Sequence, residues 1–112
     1  MILTGKAKED FEKWLYSNDV LIKDGIYDDT YLIEVFEELP LSLQYAFIIE
    51  WFDSIGIYIT SDYFELNKGF YSEILNENFA IVKPTRQEAL TEAIKKANEI
   101  YNSNSKRIET RS

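Results

Sequence analysis

Any chemistry in this chain has to be done without histidine or cysteine, since neither occurs among its 112 residues. That removes the commonest general base and transition-metal ligand. It also removes thiolate nucleophiles, disulfides and thiolate zinc sites. Carboxylates, lysine, tyrosine, serine and threonine remain. Glu50 and Asp53 are three apart, and Glu34 and Glu38 four apart, spacings that place each pair on one face of a helix. Two carboxylates facing each other share a proton or hold a hard cation such as Mg²⁺ or Ca²⁺. A solvated acid at each position accounts for the same spacing. No alternating Asp/Asn loop closed by a distant Glu is present, so there is no calcium-loop pattern. Gly5, Gly25, Gly56 and Gly69 are isolated and read as turns or caps rather than a phosphate-cradling loop. A serine nucleophile would need lysine as its base, and neither Ser54 nor Ser72 with Lys68 is placed for that. A chain of this length hardly builds the cleft that a glycosidase sets between two carboxylates. The expectation is a protein without catalytic residues, resident metal or cofactor.

Charge is the more informative feature. The chain holds 12 Lys plus Arg and 20 Asp plus Glu, a net charge of −8. Residues 24–67 contain ten of those acids and no lysine or arginine. They are Asp24, Asp28, Asp29, Glu34, Glu37, Glu38, Glu50, Asp53, Asp62 and Glu65. Residues 1–23 are neutral overall, and residues 68–112 carry +2. The plain reading is a solvated face that keeps the protein soluble. The sharper reading is a negative surface aimed at a basic partner. Direct contact of DNA or RNA with this middle region is disfavoured, because phosphates are repelled. Tyrosines are interleaved with the acids, as in Tyr27-Asp28-Asp29 and Asp62-Tyr63-Phe64-Glu65. Tyr27, Tyr31, Tyr58, Tyr63 and Tyr71 are candidates for partial exposure, because tyrosine offers contact area at low entropic cost. Together with Asp24, Asp28, Asp29, Glu34, Glu37, Glu38, Asp62 and Glu65 they form the candidate partner-binding set. Arg86, Lys95, Lys96, Lys106, Arg107 and Arg111 give the other end the opposite sign, which suits helix-dipole complementation, a second contact, or a head-to-tail homo-oligomer.

The elements that must position these residues can be read from periodicity. Ala7, Phe11, Trp14 and Leu15 recur at helical spacing after Thr4, a candidate N-cap. A second helix, capped by Asp28 or Asp29, runs to Leu39 and is stopped by Pro40. A third is expected from Ser42, as N-cap, to Ile55, closed by Gly56. Its apolar residues cover nearly the whole circumference, which predicts the most buried element. Ile57–Phe64, Phe70–Leu75 and Phe79–Val82 read as strands joined by short turns, hence an antiparallel meander. Thr85-Arg86-Gln87-Glu88 is a capping box that opens a last helix ending near Asn102. The fold class is therefore α+β: three N-terminal helices, a three-stranded antiparallel meander and one C-terminal helix. Residues 1–102 form one domain, and 103–112 are expected as a polar, basic, flexible tail. No apolar run spans a membrane and the start is no signal peptide, so a cytoplasmic protein is expected.

Two blocks carry a resemblance. Leu39-Pro40-Leu41-Ser42-Leu43-Gln44-Tyr45 with Trp51-Phe52-Asp53-Ser54-Ile55-Gly56-Ile57, and Thr85-Arg86-Gln87-Glu88-Ala89 with Ala93-Ile94-Lys95-Lys96-Ala97-Asn98-Glu99-Ile100-Tyr101-Asn102, resemble small proteins of bacteriophages and prophages. The resemblance covers about half the chain and brings no catalytic residue with it. It implies a bacterial host cytoplasm and host-interaction roles, including anti-CRISPR-type inhibition. The function expected is binding, and inhibition or redirection, of a host protein with a basic surface. A nucleic-acid-handling effector, RNA-targeting CRISPR types included, is the partner so implied. The alternative is an accessory phage protein that acts by oligomerising.

Overall fold

The structure, a computed structural model, describes residues 1–18 and 32–111, with the side chains of Asn18, Asn67 and residues 106–111 outside that description. Asp24, Tyr27, Asp28, Asp29 and Tyr31 therefore lie outside the described residues, as does any cap that Asp28 or Asp29 forms. The described elements are α1 (Gly5–Asn18), α2 (Leu32–Glu38), α3 (Leu41–Ser54), β1 (Ile59–Phe64), a 3₁₀ turn (Glu65–Asn67), β2 (Gly69–Ile74), β3 (Phe79–Lys83) and α4 (Arg86–Arg111). The α+β order read from the sequence is the order found.

Three helices meet over an aromatic cluster. Phe11 of α1 contacts Trp14 at 5.9 Å, Phe36 of α2 at 5.2 Å and Trp51 of α3 at 5.8 Å between ring centroids. These offset and edge-to-face geometries suit the ring quadrupole. Ala7, Leu15, Leu32, Ile48 and Phe52 complete the cluster, and Ala93, Ile94 and Ala97 of α4 close it from the other side. The alanines let α4 approach closely.

Capping departs from the sequence reading in two places. Ser42 does not cap α3: the helix begins at Leu41, Pro40 holds the N-cap position at φ −53°, and no side chain caps it. The fixed proline φ already suits a helix start. The buried neighbour Gln44 serves α2 instead, its Nε2 donating to the carbonyls of Glu37 at 3.1 Å and Leu39 at 2.8 Å. Those are C-terminal carbonyls that the helix itself cannot satisfy. Nor is α3 buried all round. Its inward face is Gln44, Tyr45, Ile48, Trp51 and Phe52, while Leu41 and Leu43 are exposed. At its end Gly56 takes φ +87°, as the C′ position requires.

The start of α1 is capped from α4. Asn102 Oδ1 accepts from the Ala7 N–H at 2.8 Å, and Asn102 Nδ2 donates to the Thr4 carbonyl at 3.0 Å. Asn98 Oδ1 accepts from the Thr4 N–H at 3.0 Å, and Asn98 Nδ2 donates to Thr4 Oγ1 at 2.9 Å. Thr4 is thus held by the cap and is not itself the side chain that caps Ala7. Asn102→Ala is expected to destabilise the fold by about 1–2 kcal/mol, the cost of a lost cap that leaves the Ala7 N–H without its acceptor. Asn102→Asp, which keeps the acceptor, is expected to lose less. Urea unfolding of the two variants checks both.

One turn away, the Tyr101 hydroxyl donates to Asp10 Oδ2, and its ring packs edge-on to Trp51 at 5.2 Å. Burial first, then the hydrogen bond to Asp10 and its charge, push the phenol up to about 12, against a smaller lowering by Ser105. Below the ordinary tyrosine pKa of about 10, the phenol is neutral in both folded and unfolded chains and its contribution to stability is whole. Between pH 10 and about 12 the unfolded chain ionises first, so stability falls as pH rises. Urea midpoints at about pH 9 and about pH 11.5 should fall more steeply for the native chain than for Tyr101→Phe.

The last helix has a local cap: the Glu88 N–H donates to Thr85 Oγ1 at 3.1 Å. It continues through Arg111, nine residues beyond Asn102, where composition suggested a frayed tail. No glycine or proline interrupts residues 103–111, and helix formers such as lysine, arginine and glutamate carry the i→i−4 ladder onward.

Candidate functional site

The three strands pair in the order β1-β2-β3, antiparallel throughout. Registers run Ile59–Ile74–Phe79, Thr60–Glu73–Ala80, Ser61–Ser72–Ile81, Asp62–Tyr71–Val82 and Tyr63–Phe70–Lys83. Because successive side chains alternate, Ile59, Ser72 and Ile74 turn to one face, where α4 crosses them and they are buried. The opposite face carries Thr60, Asp62 and Phe64 of β1, Tyr71 and Glu73 of β2, and Ala80 and Val82 of β3. The Leu75 N–H donates to the Tyr58 carbonyl at 2.9 Å, which extends the ladder and adds Tyr58 and Leu75 to this second face.

None of these side chains is buried. Tyr58, Phe64, Leu75 and Val82 are 36–45% exposed. Leu66, in the turn at the rim, is 87% exposed. The Phe64 and Tyr71 rings lie 6.4 Å apart. Val82 sits over Gly69, where a Cβ would come within 2.9 Å of both Val82 Cγ1 and the Lys83 carbonyl, so a side chain there would push β2 from β3. The polar groups of the face are fixed. Tyr71 donates to Glu73 Oε2 at 2.5 Å, and that hydrogen bond, more than burial or charge, raises the Tyr71 pKa. Asp62 Oδ1 accepts from the Tyr63 N–H at 2.8 Å. The open face is therefore an apolar and aromatic strip with two carboxylates and no cation among its residues.

The chain has no match to compare it with. No protein family, curated protein or solved structure matches it.

Of the candidate set, the pleat brings together Tyr58, Asp62 and Tyr71. Tyr63, one residue from Asp62, points the other way and packs on Phe70 at 5.4 Å. Glu65 stands in the 3₁₀ turn beside the face. Glu34, Glu37 and Glu38 lie exposed on α2, away from the strands in sequence; Glu37 meets the Met1 ammonium at 3.9 Å. None of the other acids of the middle region pairs with lysine or arginine among the described residues. Glu50 and Asp53 are both exposed on α3, and among the described residues no three carboxylates are grouped to hold a cation. Among the same residues no helix is long and apolar enough to cross a membrane. Sequence reasoning passed over Phe64, Leu75 and Val82, and Glu73 as the partner of Tyr71. Their signal is the period-two alternation of 58–64 and 71–75.

Proposed function

We propose that the chain is a non-enzymatic, phage-derived binding protein that docks its open sheet face on a host nucleic-acid-handling protein and inhibits or redirects it. CRISPR effectors are among the partners this fits. The observation that carries the reading is the face itself: exposed Tyr58 and Leu75 at one end and Phe64 and Val82 toward the other, with Asp62 and the Glu73–Tyr71 pair between them. Fixed carboxylates between two apolar ends complement a surface whose basic groups are flanked by apolar ones, and nucleic-acid channels supply the basic groups. The acids on α2 strengthen the field that draws such a partner in. Pairing this face with a second copy of itself would bring four carboxylates together, so a different protein suits it better than self-association.

The test compares capture from the bacterial host by the native chain, by Asp62→Lys with Glu73→Lys, and by Glu34→Lys with Glu38→Lys. A partner with a basic surface, held by the native chain and lost with the sheet variant, supports the reading. Equal capture by all three removes the sheet face from the mechanism. A stable multimer of the pure chain in solution would favour the oligomeric accessory role instead.

A further inference from the structure

The sheet has a second notable end, opposite in sign to its open face. Among cations with described side chains, Lys6 and Lys8 pair with carboxylates along α1, and Lys95 and Lys96 pair along α4. Lys13, Lys68, Lys83 and Arg86 have no carboxylate partner among the described residues. Three of those four stand around one corner, where the β1–β2 turn meets the start of α4. Lys68 holds a left-handed backbone at φ 48°. It lines a hollow of about 230 Å³ with Gly69, Val82, Lys83 and Pro84. Lys83 and Pro84 then border a second hollow of about 420 Å³ along the first turns of α4. Gln87 joins that hollow to a third, of about 330 Å³, lined by Ser42, Tyr45, Arg86 and Leu90. Shared walls make the three one groove that passes the N-terminus of α4.

Aromatic rings flank it. Tyr63, Phe70 and Lys83 form one cross-strand row on the same face. The Arg86 guanidinium sits 5.2 Å above the Phe70 ring, and Tyr63 leaves half its surface exposed. Among the described residues lining the three hollows the carboxylates are Glu88 and Glu92, both on the central one, and Glu92 is turned to Lys95 at 3.9 Å. Asp62 and Glu65 flank Tyr63 along the chain and are not part of that lining.

We propose that this groove binds single-stranded nucleic acid, with phosphates on Lys68, Lys83 and Arg86 and a base stacked on Tyr63. Cations that track a backbone beside an exposed ring are the parts that single-strand sites share. The oriented N–H groups of the α4 N-terminus add to the same field. An acidic peptide would use the cations but carries a ring only where it has an aromatic side chain, whereas every nucleotide of a single strand carries one. The net charge of −8 does not forbid this, because charges more than about 8–10 Å away are largely screened at ordinary salt. The groove shares Val82 with the docking face, as a wall of the hollow beside Lys68, and uses none of that face's exposed aromatic or acidic residues.

The experiment titrates a labelled oligouridylate of about ten nucleotides with the full chain and reads anisotropy. Saturable binding is expected, weakening about tenfold to twentyfold between about 50 and 200 mM salt, as three phosphate contacts imply. Lys68→Gln with Lys83→Gln, both at the surface, should lower affinity at least tenfold at low salt and flatten the salt dependence by more than half. Tyr63→Ala should cost about tenfold and leave the salt dependence unchanged. Lys13→Gln, on α1, should change nothing. Absence of saturable binding at low salt overturns the proposal. So does an equal loss from Lys13→Gln, or displacement of the oligonucleotide by polyglutamate or inorganic phosphate at equal charge.

Discussion

Replacing Phe11 with alanine is expected to remove about 3–5 kcal/mol of folding stability, the range for deleting a buried aromatic ring. That is a large share of the roughly 5–15 kcal/mol that holds a domain together. Phe11 is fully buried and is the ring at which α1, α2 and α3 meet, in contact with Trp14, Phe36 and Trp51. The cavity left by alanine would open at the meeting point of three helices, and α2 is only seven residues long. Leucine at the same position keeps most of the volume and should cost about 1.5 kcal/mol. Leu66→Ala, at a position 87% exposed, should stay within about 0.5 kcal/mol of the native chain. Urea unfolding of the three variants places them on one scale. A loss for Phe11→Ala no larger than for Leu66→Ala would mean that the helices are not joined through this ring.

The features that could be read in advance were those decided by neighbours in sequence. Thr85 caps Glu88 three residues on, and Gly56 takes the left-handed position that ends α3. Strand segments 57–64, 70–75 and 79–82 were visible because β-branched and aromatic residues cluster between turn formers. The misreadings share another cause. Whether Ser42 caps a helix depends on the geometry that Pro40 imposes, and what satisfies α1 depends on Asn98 and Asn102, more than ninety residues away. No local pattern encodes either. The extension of α4 to Arg111 is masked by the polar composition of residues 103–111, which contain no glycine or proline to break a helix.

The candidate site divides in the same way. Composition grouped Asp62 with Tyr63 because they are adjacent, yet a pleated strand sends adjacent side chains to opposite faces. Alternation alone separates Tyr58, Asp62 and Phe64 from Ile59, Ser61 and Tyr63. Which of the two sets faces outward depends on where α4 crosses, and only the fold decides that. Among the described residues the acids of the middle region are consequently divided: Asp62 stands on the open sheet face, Glu34, Glu37 and Glu38 on α2, and Glu50 and Asp53 on α3.

That division sets up the second large effect. Reversing Asp62 and Glu73 to lysine should weaken binding of the captured partner at least a hundredfold. Breaking one buried, hydrogen-bonded charge pair at an interface costs about 2–5 kcal/mol, and like charges add repulsion. A hundredfold loss is about 2.7 kcal/mol, below the roughly 4 kcal/mol that two such contacts cost at their low end, and so a floor for the effect. Reversing Glu34 and Glu38 on α2 removes only long-range attraction. It should slow association severalfold, and the difference should vanish at high salt. Phe64→Ala, which keeps every charge, should still cost more than tenfold if the apolar end of the face packs into the contact. Asp62 and Glu73 lie on an unburied face, so the reversed protein should unfold at nearly the native urea concentration. Association and dissociation rates measured on the immobilised partner separate these cases. Faster dissociation confined to the sheet variants identifies the sheet as the contact. If only the association rate changes, and equally for both pairs of acids, the carboxylates steer the encounter and the bound surface lies elsewhere on the molecule.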